Sequence, residues 1–342
     1  MNRISKACNA AIIATSLLAS GAVFGQGKSA APVTNVLIGN ATANDTQAAA
    51  NDKFAELITR YSEGRLKASA HHGQSLGSIP RMLSSLQAGS VHGMILPAGF
   101  LSTMVHEMSM FDMPFLLPGA PAKITAFAEQ SRAAVKLMEL AEQKGIHIIG
   151  FHGIGPQSFL TKFPMNKLAD LQGKKIRDIP SPSRNDTYKD WGAVPRMMDF
   201  GEVYTSLQQG TIDAVVNPPD VLYKMKFHEV TKYFTITEHF AFVSNVIVSK
   251  KWFDALPKDL QVAVTRAGKE TIAFADVAYT KAQGDSLEAL KKAVIVTTMP
   301  AAEIQKMKDA ANKGVWQKMR SDPGKGPMLK LLEEDVANFN KK

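Results

Sequence analysis

The chain has 342 residues, enough for two α/β domains with separate hydrophobic cores. Its formal net charge is +9, yet no basic tract with interleaved aromatic residues occurs, which argues against a nucleic-acid partner. The positive sign fits an anionic small ligand better. The single cysteine, Cys8, lies in a segment that we expect to be removed. The mature chain would then contain no disulfide, no cysteine–zinc site and no thiol nucleophile.

Residues 1–25 have the pattern of a secretory signal peptide. Arg3 and Lys6 form a basic start, an apolar run follows over 10–18, and small residues come next. The apolar run is too short, and too interrupted by serine and threonine, for a membrane span. We expect cleavage after Ala22 or Gly25 and export to a bacterial periplasm. Without the two cations of this segment, 38 basic and 31 acidic residues remain, a net charge of +7.

Strands and helices alternate through the first half of the chain. The predicted elements are a strand over 35–38, a helix ending at Gly64, a strand over 66–70, a helix between Ser78 and Gly89, and a strand over 93–96. This β-α-β-α-β order predicts a mostly parallel, doubly wound sheet. A long amphipathic helix is predicted over 125–144, followed by a buried strand over 146–151.

The central segment, residues 171–235, is predicted to form a second βαβ unit. Its predicted strands are the one that holds Ile176 and Ile179, then 213–217 and 233–236, and its predicted helices cover 185–191, 202–208 and 220–228. We expect the chain to enter a second domain at 158–161 and to return over 243–248. A helix from Pro257 to about Ala293 is predicted to lie against both domains as a spine. A last strand over 294–298 and two polar helices complete the chain.

Two domains joined by more than one crossing enclose a cleft, and ligands of open α/β sheets bind beyond the carboxyl ends of the strands. That rule places Asn40, Pro97, Arg177 and Asn217 at the cleft. A guanidinium at a strand end can bind a carboxylate through two parallel hydrogen bonds. Arg177 is therefore the leading candidate for ligand binding.

Spacing alone leaves other interpretations open. Arg177 could equally be a surface arginine paired with Asp178 or Asp170, and Asn217 could be an ordinary turn residue. On composition, Phe200 and Phe100 fit the core better than a ligand site, and the adjacent histidines at 71 and 72 fit a solvated loop better than a metal site. The glycine-rich stretch GFHGIG over 150–155 does not match the dinucleotide fingerprint, so we interpret it as a bend between domains. No catalytic motif is found.

Longer motifs carry a family resemblance. The string GAVPRMMDFGEVYTSLQQGTIDA over 192–214 is followed by NPP, by KFHEVTKYFTITEH and by WFDALPKDLQ. Together with LQGKKIR over 171–177 and QSLGSIPRMLSSLQAG over 74–89, it closely resembles the solute receptors of TRAP (tripartite ATP-independent periplasmic) transporters. The resemblance covers about residues 30–340.

The resemblance implies an α/β periplasmic binding protein fold of two lobes, with doubly wound sheets joined by crossing strands and a long spine helix. Lobe I would comprise 31–154 with 243–283, and lobe II 155–242 with 284–342 including the C-terminal helices. Such a receptor closes on an organic acid and delivers it to the small and large membrane subunits of a cation-coupled permease. No cofactor and no metal are implied, and a monomer is the default.

The resemblance also implies roles for individual residues. Arg177 would form a two-point salt bridge with the ligand carboxylate, Asn217 would contact the same carboxylate, and Phe200 would pack against the ligand. Asn40, Ser244 and Gln157 would fall at pocket-lining positions, with Gln157 standing where many relatives carry a second arginine. The implied ligand-binding set is Arg177, Asn217, Phe200, Asn40, Gln157 and Ser244.

Departures from the family pattern bear on the ligand. The family's usual glutamate before the asparagine is missing, and an apolar wall of Phe100, Met198 and Phe200 is expected. Fewer charges and more apolar surface favour a hydrophobic or aromatic monocarboxylate. The alternatives are a C4-dicarboxylate or sugar-acid receptor of the same fold, and a sensory receptor that feeds a signalling partner. A periplasmic enzyme is disfavoured because no acid/base or nucleophile constellation is present.

Overall fold

A computed structural model describes residues 33–341. The predicted signal peptide, both predicted cleavage positions and Cys8 lie outside these described residues. The first strand begins at Thr34, the second described residue.

Nine strands of the described chain form one sheet. They are β1 (Thr34–Gly39), β2 (Leu66–His71), β3 (Gly93–Pro97), β4 (Ile146–Thr161), β5 (Lys175–Asp178), β6 (Val194–Met197), β7 (Ala214–Asn217), β8 (Tyr233–Ser249) and β9 (Ile295–Thr298). Their order is β2-β1-β3-β8-β4-β7-β5-β6, with β9 beside β8. The pairs β2–β1, β1–β3, β7–β5 and β5–β6 are parallel, whereas the three central pairs, β3–β8, β8–β4 and β4–β7, are antiparallel. The prediction of a mostly parallel sheet therefore holds for the ends and fails at the centre.

Helices cover both faces of the sheet and its ends. They are α1 (Thr46–Tyr61), α2 (Ile79–Ala88), α3 (Pro121–Gln130), α4 (Arg132–Glu142), α5 (Pro182–Asp190), α6 (Val203–Gln209), α7 (Pro219–Lys224), α8 (Lys250–Ala255), α9 (Lys258–Ala293), α10 (Ala301–Ala311), α11 (Gln317–Ser321) and α12 (Gly326–Phe339). Short 3₁₀ turns occur at Ala98–Thr103, His106–Asp112, Leu168–Leu171, Phe200–Glu202 and Phe227–Glu229, and a π-helical turn at Asn312–Trp316. No helix within 33–341 is both long enough and apolar enough to cross a membrane.

Two long strands connect the two lobes. The strand predicted over 146–151 and the crossing predicted at 158–161 are one strand, β4, and the strands predicted over 233–236 and 243–248 are one strand, β8. β4 and β8 pair antiparallel along almost their full length, with register shifts near Gly150, Gly155 and Phe159. Such bulges bend a strand without ending it, so the glycine-rich stretch bends within β4. The prediction of separate short strands was wrong because it treated this bend as a break.

The helix predicted over 125–144 is also wrong, because the structure has two helices there. The break is at Ser131, which is extended (φ −82°, ψ 123°) and caps α4 by accepting a hydrogen bond from the Ala134 N–H at 3.1 Å. A cap of this kind accepts a hydrogen bond from a backbone N–H in the first turn that has no acceptor within the helix. The short edge strand β6 was missed, since it contains Pro195 and is largely exposed.

The spine helix α9 has 36 residues and packs against both ends of the molecule. Its Val264 and Tyr279 are buried in the cluster that includes Phe54 of α1, whereas Leu290 is buried with Phe234 of β8. The C-terminal helix α12, predicted to belong to lobe II, contacts α3 and α4. The carboxylate of Asp335 on α12 accepts hydrogen bonds from the Ser131 hydroxyl, the Arg132 guanidinium and the Ala133 N–H. The chain therefore ends against helices of the segment that the prediction assigns to lobe I, while the assignment of α12 itself stays a prediction.

Candidate functional site

A narrow cavity of about 30 Å³ lies between the two lobes, at the carboxyl ends of β1, β3, β5 and β7. Its lining residues are Ala41, Thr42, Gln47, Ile79, Pro97, Phe100, Arg177, Ile179, Phe200, Asn217, Val221 and Phe242. Eight of the twelve are apolar, and Arg177 is the one cation among them. Cavities with an apolar lining and a few convergent polar groups are the usual binding sites for small ligands.

A larger depression of about 440 Å³ lies between the start of α1, α7 and the middle of α9. Its cations Lys224 and Lys281 are exposed, and Lys281 forms an ion pair with exposed Asp285. Its two buried charged residues, Asp45 and Asp220, are both carboxylates, so no buried cation lines it. Exposed ion pairs of this kind contribute little to stability or binding. The narrow cavity is therefore the better candidate site.

Arg177 stands at the end of β5 with only 3% of its surface exposed. Its Nε has no hydrogen-bond partner among the described residues, and one Nη donates a long hydrogen bond of 3.4 Å to the Met198 carbonyl. The guanidinium carbon lies 5.4 Å from the centre of the Phe200 ring. Burial lowers the pKa of Arg177 to about 10, although the field of Asp178 acts in the opposite direction. The interpretation as a surface arginine is wrong, because Arg177 is buried and Asp178 pairs with Arg184 instead.

Asn217 ends β7 directly before Pro218, and its side chain is 3% exposed. The amide Nδ2 has no partner in the described part of the chain. Phe200 is 8% exposed and begins a 3₁₀ turn that Asp199 caps, accepting a hydrogen bond from the Phe200 N–H at 2.7 Å. The structure thus brings Arg177, Asn217 and Phe200 together on one wall of the cavity. An unpaired buried cation next to an unpaired amide is suited to an anion.

Asn40 is fully buried and lies behind the opposite wall, outside the lining residues. Its Nδ2 donates to the Thr42 carbonyl at 3.0 Å, and its Oδ1 accepts from Gln47 Nε2 at 2.8 Å. Thr42 and Gln47 themselves line the cavity. Asn40 therefore does not line the cavity itself. It holds in place two residues that do, Thr42 and Gln47. Both were missed, although their position between a strand end and the first turn of α1 could have indicated them.

Gln157 lies on β4, fully buried and also outside the lining residues. Its Oε1 accepts a hydrogen bond of 3.1 Å from Arg184 of α5, and its Nε2 has no partner within residues 33–341. Arg184 is buried too, donating to Asp178 at 2.6 Å and to the Tyr188 hydroxyl at 3.2 Å. Burial raises the pKa of nearby Asp112 to about 6, against the opposing effect of Arg184. A second buried arginine thus lies beside Gln157, but another element supplies it, and sequence reasoning missed it.

Ser244 is buried on β8, opposite Pro97 of β3, and is not among the lining residues. Its hydroxyl has no partner in the described chain. Phe242, two residues earlier on the same strand, does line the cavity. Residues two apart on a strand share a face, so Ser244 lies on the same face of β8 as Phe242, and its role in ligand binding stays a prediction.

Comparison with known proteins agrees with this geometry. The family model described as bacterial extracellular solute-binding protein, family 7 (DctP), matches residues 38–322. The C4-dicarboxylate-binding periplasmic protein DctP of Rhodobacter capsulatus is 31% identical over 245 residues, which is 70% of this chain and 72% of that protein.

Solved structures match nearly the whole described chain. A TRAP periplasmic solute binding protein from Desulfovibrio salexigens, with bound orotic acid, is 28% identical with a TM-score of 0.84, covering 89% of this chain and 99% of that one. The sugar acid binding protein DctPAm from Advenella mimigardefordensis, in complex with galactonate, is 24% identical with a TM-score of 0.85, covering 90% and 99%. At that lower identity the second likeness shows the fold alone.

Proposed function

This chain belongs to the bacterial extracellular solute-binding proteins of family 7, and from that membership we propose that it is a periplasmic receptor for an organic acid. The ligand binds in the cavity between the lobes, and the receptor delivers it to the small and large membrane subunits of a TRAP permease. Lobe I comprises 31–154 with 243–283, and lobe II comprises 155–242 with 284–342. The chain is exported by a cleaved signal peptide and works as a monomer.

The state of Arg177 is the observation that carries this proposal. A buried guanidinium with an unpartnered Nε and a lowered pKa is costly in the empty protein. A ligand carboxylate removes that cost, because it supplies the missing charge and two acceptor oxygens at once. Asn217, on the neighbouring strand β7, offers a further polar group to the same carboxylate.

We assign the ligand to the hydrophobic or aromatic monocarboxylates. Arg177 is the one cation among the lining residues, and Phe100, Phe200 and Phe242 contribute large apolar surfaces. The relative from Desulfovibrio salexigens holds orotic acid, which supports a ligand that consists of a ring with a carboxylate. A second carboxylate would need a second cation, and Arg184 is already engaged by Asp178.

A C4-dicarboxylate is the second candidate, favoured by the name of the relative from Rhodobacter capsulatus. For such a ligand, Arg184 would have to turn away from Gln157 and toward the cavity. Breaking its buried hydrogen bonds makes that rearrangement unfavourable. The binding screen below separates the two candidates.

Several hydrogen bonds between the lobes support closure around the ligand. The Ser102 hydroxyl donates to the Pro180 carbonyl at 2.6 Å, and the Thr46 N–H donates to an oxygen of Asp220 at 3.1 Å. Contacts that exist only in the closed state are what allow a ligand to shift a receptor toward closure. Ligand binding and closure are therefore one linked equilibrium in this proposal.

A thermal-shift screen of the refolded, ligand-free protein against organic acids tests the proposal. A ligand at a hundred times its dissociation constant stabilises the native state by about 2.7 kcal/mol, which gives a clear rise in melting temperature. Shifts confined to hydrophobic or aromatic monocarboxylates are the expected result. Shifts with succinate or malate would transfer the assignment to the dicarboxylates. No shift with any acid would contradict the receptor role.

A further inference from the structure

The orientation of the Asn40 side-chain amide is fixed by the backbone. Its Oδ1 faces the Thr42 N–H at 3.4 Å, and its Nδ2 faces the Thr42 carbonyl at 3.0 Å. On the Nδ2 side lies also His72 Nδ1, at 3.3 Å, while His72 Nε2 contacts the Asp52 carboxylate at 2.9 Å. A histidine with its proton on Nε2, toward Asp52, presents Nδ1 as an acceptor for Asn40. Turning the Asn40 amide over would place its oxygen against a carbonyl oxygen, so one orientation is selected.

The fixed amide of Asn40 in turn fixes Gln47. Asn40 Oδ1 can only accept, so Gln47 must present its Nε2 to it, as the 2.8 Å contact shows. The remaining amide atom, Gln47 Oε1, makes no hydrogen bond with any of the described residues. Gln47 lines the cavity and is only 4% exposed as a residue, so a ligand that fills the cavity displaces the water that can still reach that oxygen.

The other polar residue on this wall is already occupied. The Thr42 hydroxyl donates to Asp45 Oδ1 at 2.7 Å, and that carboxylate oxygen also caps α1 through the Ala48 N–H at 2.9 Å. The wall formed by lobe I therefore offers the cavity one free polar atom of defined character, an acceptor. The wall formed by lobe II offers the donors of Arg177.

We propose that Gln47 is a specificity-determining residue that selects acids carrying a hydrogen-bond donor, a hydroxyl or an N–H, in addition to the carboxylate. Asn40 is the positioning residue that keeps the Gln47 oxygen turned toward the ligand. A buried acceptor left unpaired costs more than the net gain of a hydrogen bond made, so ligands lacking the donor are rejected. This inference rests on the proposed receptor function and narrows its ligand class to hydroxylated or N–H-bearing carboxylates.

Matched ligands test the inference on the unaltered protein. 3-Phenylpropanoate is compared by calorimetry with its hydroxyl, methyl and methoxy derivatives at each ring position, and malate is compared with methylsuccinate. Hydroxyl and methyl groups are nearly equal in size, so their ratio isolates the hydrogen bond. At least one hydroxylated acid is expected to bind about ten-fold more tightly than its methyl counterpart, and the methoxy acids, which only accept, to bind no better than the methyl ones.

Two variants identify the residues responsible. In Gln47→Met the preference for the hydroxylated acid is expected to fall to about two-fold or less, while Gln87→Met, an exposed glutamine of α2, keeps it. In Asn40→Ala the Gln47 amide can turn over, so the hydroxyl and methoxy acids are expected to bind alike. That change of preference is a readout that loss of stability alone does not produce.

The outcomes separate this inference from the receptor proposal. If acids bind and depend on Arg177 but every hydroxyl-to-methyl ratio is near one, the donor requirement is wrong and the receptor role stands. An unchanged ratio in a folded Gln47→Met variant would likewise overturn it. If none of these acids binds and no acid of the thermal-shift screen raises the melting temperature, both proposals are overturned.

Discussion

Replacing Arg177 with methionine should stabilise the empty protein while it abolishes ligand binding. Methionine matches the length of the arginine stem and fills the same space, but it carries no charge. The perturbation therefore removes a buried cation that the empty cavity leaves without a counterion. Residues that evolved for binding often cost stability in this way.

The magnitude follows from the pKa of Arg177. Burial lowers it from 12.5 to about 10, which corresponds to roughly 3 kcal/mol of unfavourable charge burial at 1.4 kcal/mol per pH unit. Methionine forgoes the 3.4 Å hydrogen bond to Met198 and the contact with the Phe200 ring, which offsets part of this gain. We expect a net gain of at most about 1–2 kcal/mol, visible as a melting temperature higher by up to roughly 2–5 °C. The gain is full when the ligand-free protein is closed, and it falls toward zero when the lobes open, because an open cleft hydrates Arg177.

Arg196 provides a matched control. It lies beside Arg177 on the neighbouring strand β6, in direct register, but it is exposed. Arg196→Met should leave both the stability of the empty protein and the affinity for acids within about 0.5 kcal/mol of the original values. The assay is urea denaturation of each ligand-free protein, followed by calorimetric titration with the best acid of the screen.

The reasoning about Arg177 would be refuted by a variant that is less stable than the original protein and still binds acids. That result would mean the guanidinium supports the scaffold and the carboxylate is held elsewhere. In the binding experiment, we expect Arg177→Met to lose at least about 2 kcal/mol of affinity, because a buried carboxylate loses its partner.

Three further predictions concern stability. Burial raises the pKa of Asp45 from 3.8 to about 6, so between these values the folded protein keeps a proton that the unfolded chain releases. The free energy of unfolding therefore falls as the pH rises from about 4 to 6. Asp45→Asn, which still caps α1, should therefore gain about 1–3 kcal/mol at pH 8 and little at pH 4, and a difference independent of pH in urea denaturation would contradict this. Gly153→Ala would place a Cβ against the backbone at the start of α3 and should lower stability by about 2 kcal/mol. Gly284→Ala, with open space on α9, should raise stability by about 0.5–1 kcal/mol. Calorimetric melting that ranks the two variants in the reverse order would refute the packing argument. Arg184→Met should cost about 3 kcal/mol at pH 7 because Asp178 is left buried without its partner, and denaturation should show part of that loss restored when Asp178→Asn is added.

Local elements were predictable wherever the sequence carries a local signal. The first three strands and the second helix were predicted within about two residues, because strand patterning, Ser78 and Gly89 mark their limits. For the first helix only the end was predicted, at Gly64, three residues beyond the observed end at Tyr61. The lengths of β4 and β8 were not predictable, because these strands continue through bulges that look like breaks in a single sequence. Their continuity depends on pairing with each other across both lobes, a non-local interaction.

The candidate site was predictable to the extent that strand ends determine it. Arg177 and Asn217 stand where the rule for open α/β sheets places ligand-binding residues, and the structure puts both on the cavity. Their contact with a carboxylate stays a prediction. Arg184 could not have been found in this way, because it reaches Gln157 from a helix and only the packed structure brings the two together.

The polar atoms of the cavity are divided between the lobes according to their hydrogen-bonding character. Lobe II contributes the unpaired donors of Arg177 and Asn217. Lobe I contributes the Oε1 acceptor of Gln47, whose Nε2 is already engaged by Asn40. A ligand that satisfies both walls must carry its negative charge toward β5 and a donor toward α1, and only a closed receptor presents both walls at once. An acid without the donor could bind to lobe II, but it would leave the Gln47 oxygen buried and unpaired on closure. Selection among acids would therefore operate at the closing step, because the loss falls on the closed state alone.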